Sequence, residues 1–168
     1  MFKVFGFYKF IKIKSLKKKK ILLQKFLTTN DIRGTIIISQ EGLNGTISSN
    51  NKNIEKTVKK IKFLFSFKKF DCENTSKSLF QPFHKPKVKI KKEVVPMNFT
   101  LNPKERNTKT HLDPKKWNDL IKKKDTHIID TRKSFEYDVG TFKKSINPDI
   151  DNFRDCLLYT SPSPRDGR

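Results

Sequence analysis

The stretch GTIIISQEGLNGTIS, residues 34–48, decides the fold of the first half of the chain. Gly34 releases a short apolar run, Thr35 to Ser39, whose β-branched composition suits a buried strand. Gly42 and the Asn44-Gly45 pair are turn formers, and Thr46-Ile47-Ser48 starts back as a second strand. The stretch predicts a β-hairpin. Upstream, VFGFYKFIKI (residues 4–13) is aromatic and β-branched and reads as a strand. Ser15 is placed to cap a helix over LKKKKILLQKFLTTN, where Leu16, Leu23, Phe26 and Leu27 fall near one face. Downstream, NNKNIEKTVKKIKFLF sets Ile54, Val58, Ile61 and Leu64 at helical spacing. KVKIKKEVV (residues 87–95) alternates at its start and reads as a closing strand. The order β-α-β-β-α-β over residues 1–96 is the split βαβ arrangement of ferredoxin-like domains. The connection from Phe65 to Pro86 is long, with room for an extra strand or a surface loop.

Composition constrains the partner. The 168 residues hold 38 Lys and Arg against 17 Asp and Glu, a net charge of +21 that attracts nucleic acid or anionic membrane. The chain lacks alanine and is crowded with Lys, Ile, Asn and Phe, residues of AT-rich codons, so selection and base-composition drift both stay open as sources of the charge. Cys72 and Cys156 have no CxxC spacing, which argues against structural zinc and a disulfide framework. His84, His111 and His127 form no ligand pattern, so no metal or cofactor is evident. Lysines at 3, 9, 12 and 14 interrupt any signal-peptide core, and no apolar run approaches a membrane-spanning length. The expectation is a soluble, cytoplasmic protein; its oligomeric state is left open.

Residues 97–110 are polar and read as a linker. A second unit, 111–155, begins at HLDPKKWNDLIKKK, with Asp113 as N-cap and Pro114 at the first helical position. HIIDTR (residues 127–132) is a short strand ending in Asp130 and Arg132. SFEYDVG gives a short helix closed by Gly140, and FKKSINPD leads into an extended stretch.

Together, GTIIISQEGLNGTIS and DPKKWNDLI…HIIDTRKSFEYDVGTFKKSINP resemble the TrhO (YceA-like) family of tRNA uridine hydroxylases, which are rhodanese-domain proteins. The resemblance runs from residue 1 to about 155, with KVKIKKEVV fitting between the two motifs. It implies an α+β ferredoxin-like N-terminal domain followed by a partial α/β rhodanese domain. The implied reaction is oxygen-dependent 5-hydroxylation of the wobble uridine, with tRNA as partner and molecular oxygen as co-substrate. The family's essential cysteine sits in a Cys-Thr-Gly-Gly-like loop, where backbone N–H groups gather around the sulfur. No such loop occurs here. After NPDIDNFRD the composition shifts abruptly to CLLYTSPSPRDGR, so residues 156–168 are read as a non-native tail and Cys156 as no nucleophile. The chain is expected to lack the active site and to be inactive alone. A non-catalytic RNA-binding adaptor and a rhodanese-type sulfurtransferase are the alternatives.

Site-adjacent candidates are Asp130, Arg132 and Glu41. Asp130 and Arg132 also suit a structural role, with Asp130 capping the next turn and Arg132 pairing with a carboxylate such as Glu136. A plain hairpin does not need Glu41, which leaves an interdomain contact open. Cys72 lies between Asp71 and Glu73, an acidic setting unsuited to a nucleophile. RNA-binding candidates are Lys17, Lys18, Lys19, Lys20, Lys56, Lys59 and Lys60, with Lys62, on the exposed faces of the two helices. Phe5, Phe7 and Tyr8 on the sheet suit base stacking or the core, and the core is the favoured use.

Overall fold

The computed structural model describes residues 1–94, 112–150 and 155, so the linker at 97–110, His111 and the tail from Cys156 on lie outside the described residues. The chain divides into two compact units, Met1–Val95 and Pro96–Arg168.

In the first unit the order is β1 (Phe2–Phe10), α1 (Leu16–Thr29), β2 (Arg33–Ser39), β3 (Gly42–Ser49), α2 (Asn51–Leu64), β4 (Cys72–Ser78) and β5 (Pro86–Ile90). One sheet runs β4-β1-β3-β2-β5; each of the first four strands is antiparallel to its neighbour, and β5 joins β2 in parallel. The split βαβ arrangement is therefore present, but its closing strand is β4. The stretch at 87–95, expected to close it, instead begins a fifth strand, which ends at Ile90 on the opposite edge. The long connection from Phe65 to Pro86 thus holds the extra strand it had room for, but CENTSKS has no apolar alternation to place it: β4 is an edge strand, exposed at every residue but Ser78. Joining the two edges means crossing four strand spacings, about 19 Å. Residues 79–85 reach at most about 25 Å when extended, enough to make the crossing with the bends at 79–80 and 84–85. Gln81 fixes it midway by donating from Nε2 to the Ser48 carbonyl at 3.4 Å.

The hairpin turns at Gln40-Glu41, since Ser39 pairs with Gly42. Asn44-Gly45, expected in the turn, lies inside β3. There Gly45 is a matter of space: a Cβ would stand 2.9 Å from the Thr35 carbonyl and 3.1 Å from Phe7 Cζ. Strand alternation sends Phe5, Phe7, Ile36, Ile38, Leu43, Ile47 and Val88 to one face, where they form one core with Leu23, Leu27, Ile54 and Ile61. Each such buried aliphatic or aromatic side chain contributes roughly 1.5–3 kcal/mol. Phe70, just before β4, closes the core against Phe5 and Phe7, at centroid distances of 5.8 and 4.9 Å. Asn50 caps α2 by accepting from Asn53 N at 2.8 Å. Ser15 does not cap α1: its backbone is left-handed, φ 56°, and its side chain makes no cap bond.

The second unit holds α3 (Pro114–Leu120), β6 (Ile128–Ile129), α4 (Ser134–Val139) and β7 (Ser145–Ile146). Asp113 caps α3 by accepting from Lys116 N at 3.0 Å, with Pro114 where its missing N–H costs nothing. β6 and β7 are parallel and joined by α4, a minimal βαβ unit. Ile128 is buried, whereas Ile129 and Ile146 stay 59% and 51% exposed. Trp117 meets Phe142 at 5.6 Å between ring centroids.

Candidate functional site

Asp130 leaves the end of β6 with its backbone N–H bonded to the Ile146 carbonyl at 2.9 Å, so the sheet itself fixes its position. The carboxylate is almost buried, 8% exposed, and fully subscribed. Arg132 donates from Nε at 2.9 and 3.1 Å and from its own backbone N–H at 3.1 Å; Thr141 Oγ1 donates at 2.8 Å. These donors, the Arg132 guanidinium first, hold the Asp130 carboxyl far below the usual carboxylate range against a desolvation that would raise it. Arg132 is correspondingly raised, through Asp130 first and Glu136 more weakly. Its Nη2 donates both to Asp130 Oδ2 at 2.5 Å and to the Gly140 carbonyl at 2.6 Å. The carboxylate partner of Arg132 is therefore Asp130 rather than Glu136.

The cluster continues through Thr141 to Ser145 at 2.6 Å and through Tyr137 Oη, which donates to the Ser145 carbonyl at 2.9 Å. Sequence reasoning missed Thr141; its place directly after Gly140, at the end of a helix returning to the sheet, was the available signal. An open cleft of about 580 Å³ lies alongside, lined by Trp117, Ile129, Arg132, Thr141 and Phe142 among others. Among the described residues, its lining includes neither cysteine nor histidine. Asp130 and Arg132, paired with each other and tied to Thr141 and the Gly140 carbonyl, are positioned to brace the loops around the cleft.

Glu41 belongs to the first unit and has a local task. Its carboxylate accepts from Val94 N at 2.7 Å, and its carbonyl accepts from Ile11 N at 2.9 Å. The hairpin tip thus fastens both the chain leaving β1 and the chain that follows β5. Cys72 is a free thiol, exposed on the edge strand β4. Among the described residues, no group of three or more His, Cys, Asp or Glu could hold a metal ion.

The helix lysines split into two sets. Lys17, Lys18, Lys56 and Lys59 are exposed, Lys56 while also resting on a ring. Lys19 lies over the Phe65 ring at 5.1 Å, and Lys56 and Lys60 both lie over Phe26 at 5.8 Å. Lys56 Nζ also donates to Asn30 Oδ1 at 2.7 Å. Lys20 is half-buried. Phe5 and Phe7 are in the core, whereas Tyr8, one residue on, faces the other side of the sheet.

Residues 2–94, more than half of the chain, match the UPF0176 acylphosphatase like domain. The chain belongs to that family. The UPF0176 chain is 63% identical over 159 residues to the tRNA uridine(34) hydroxylase of Pelagibacter ubique (strain HTCC1062), covering 95% of this chain and 52% of the relative. It is 37% identical over 155 residues to the tRNA uridine(34) hydroxylase of Bartonella quintana (strain Toulouse), covering 92% and 50%. The chain thus spans about half the length of the curated relatives it matches. Among solved structures, an acylphosphatase from Bacillus subtilis aligns with TM-score 0.39 and 10% identity over 52% of this chain and 98% of that one. Full-length HypF, in its phosphate- and nucleotide-bound form, aligns with TM-score 0.42 and 13% identity over 56% of this chain and 13% of that one. No helix among the described residues is long and apolar enough to cross a membrane.

Proposed function

We propose that this UPF0176 chain serves tRNA wobble-uridine 5-hydroxylation, as the part of the enzyme that binds tRNA rather than the part that performs the chemistry. The 63% identity to a tRNA uridine(34) hydroxylase over nearly the whole chain carries the reading. The net charge of +21 agrees with a polyanionic substrate. In this reading tRNA is the partner and molecular oxygen the co-substrate. Lys17, Lys18 and Lys59 contact phosphates without reading sequence, while the Asp130–Arg132 cluster stiffens the loops of the second unit.

The chemistry needs an activated sulfur that Cys72 does not supply, sitting on an exposed strand with no loop of N–H groups around it. The test is to incubate the purified chain with unmodified tRNA in air and examine the nucleosides by mass spectrometry. The expected result is bound tRNA without 5-hydroxyuridine. Hydroxylated uridine at position 34 would place the chemistry within this chain and overturn the division of labour.

A further inference from the structure

Both faces of the first unit's sheet are accounted for by register, and they differ in chemistry. The helix side carries the core. On the opposite side the register aligns Cys72, Tyr8, Asn44, Ile37 and Lys89 in one row across the five strands, and Asn74, Gly6, Thr46, Thr35 and Lys87 in the next. Asn74, Thr46, Lys87 and Lys89 are exposed and Tyr8 is half-exposed. The Asn74 carboxamide lies over Gly6, where a Cβ would collide with its oxygen. Tyr8 meets Phe10 edge-on at 5.8 Å, so its ring is held by a neighbour.

We propose that this open face is a platform for single-stranded RNA. The inference rests on the tRNA reading above and specifies where an unpaired loop would be held. Three features point the same way. A partly exposed aromatic ring in the middle strands offers a stacking surface that every base can use. Asn44 and Asn74, on the strands either side of Tyr8, offer donors and acceptors to base edges. Lys87 and Lys89 lie three strand spacings away, about 14 Å, where they can meet the backbone of the same strand of RNA.

Charge complementarity settles the kind of occupant. The only carboxylate within the five strands, Glu73, pairs with Phe7 and so belongs to the helix side. The open face therefore carries cations and amides with no acidic strand residue to repel phosphate. A duplex would not use it, because its bases are already stacked and a ring on a flat sheet cannot reach between them. The helix lysines do a different job, since several already rest on rings of their own protein.

The test uses the whole chain and two fluorescent probes: an RNA hairpin carrying the single-stranded loop of an anticodon arm, and the same stem extended into an uninterrupted duplex. Tyr8→Ala should weaken hairpin binding about tenfold and leave duplex binding unchanged, while Tyr8→Phe restores the hairpin affinity. Asn74→Ala, on the exposed edge strand, should weaken the hairpin alone without touching the core. Lys87→Ala with Lys89→Ala should weaken hairpin binding and flatten its salt dependence, whereas Lys59→Ala should weaken both probes alike. Wild-type affinity for the hairpin in all the sheet-face variants would overturn this inference and leave the tRNA reading standing. Failure of the unaltered chain to bind either probe or whole tRNA would overturn both.

Discussion

At the scale of single residues, the molecule assigns work by contact rather than by residue type. Gly45 looks like half of a turn dipeptide, yet it sits in a strand because Phe7 and the Thr35 carbonyl leave no room for a side chain. Gly45→Ala is expected to destabilise the first unit by about 1–3 kcal/mol, measured as a lowered midpoint in urea. Asp130 gives the second residue-scale test. Its carboxyl is held far below its unfolded value, chiefly by Arg132. On acidification the unfolded chain therefore takes up the proton first, and the second unit loses stability as pH falls below about 4. Trp117 is the sole tryptophan and lies in this unit, so its fluorescence reports the loss. Asp130→Asn should melt earlier at neutral pH and show a flatter acid dependence than the unaltered chain; an unchanged profile would mean that the Arg132 contact is not what holds the loop.

At the scale of elements, legibility followed burial. α1, α2, β2 and β3 were readable because each buries one periodic face, and that period is what the pattern of Leu23 and Leu27 or Ile54 and Ile61 records. β4 was legible only as room for a strand in the long connection from Phe65 to Pro86. An edge strand bonded on one side only, polar at every position after Cys72, leaves no alternation to find. The hairpin was legible as a hairpin, but not its turn: Gln40-Glu41 carries no turn signature, whereas Asn44-Gly45 does. Of the candidate site, the pairing of Asp130 with Arg132 could not be read, because proximity within a loop depends on backbone path rather than on spacing. The helix starts give a paired prediction. Asn50→Ala removes a real cap and should cost about 1 kcal/mol. Ser15→Gly relieves a left-handed backbone and should stabilise by up to about 1 kcal/mol. Chemical denaturation of the two variants checks both signs, and equal effects would contradict the cap assignments.

At the scale of the whole molecule, two units with different chemistry share one chain. The first has a core on the helix side of its sheet, lysines along its two helices, and Tyr8, Asn44 and Asn74 on the sheet's other side. The second has a braced loop cluster beside a cleft and apolar side chains such as Ile129 and Phe142 half-exposed. In the proposed reading, the basic charge and the sheet face around Tyr8 serve a polyanionic, partly single-stranded substrate. The measurement that tests this most directly is the binding of whole tRNA to the chain across a series of salt concentrations. The account predicts tight binding at low salt, with log K falling linearly against log salt as several phosphates are neutralised. Absent binding at low salt, or an affinity indifferent to salt, would contradict it.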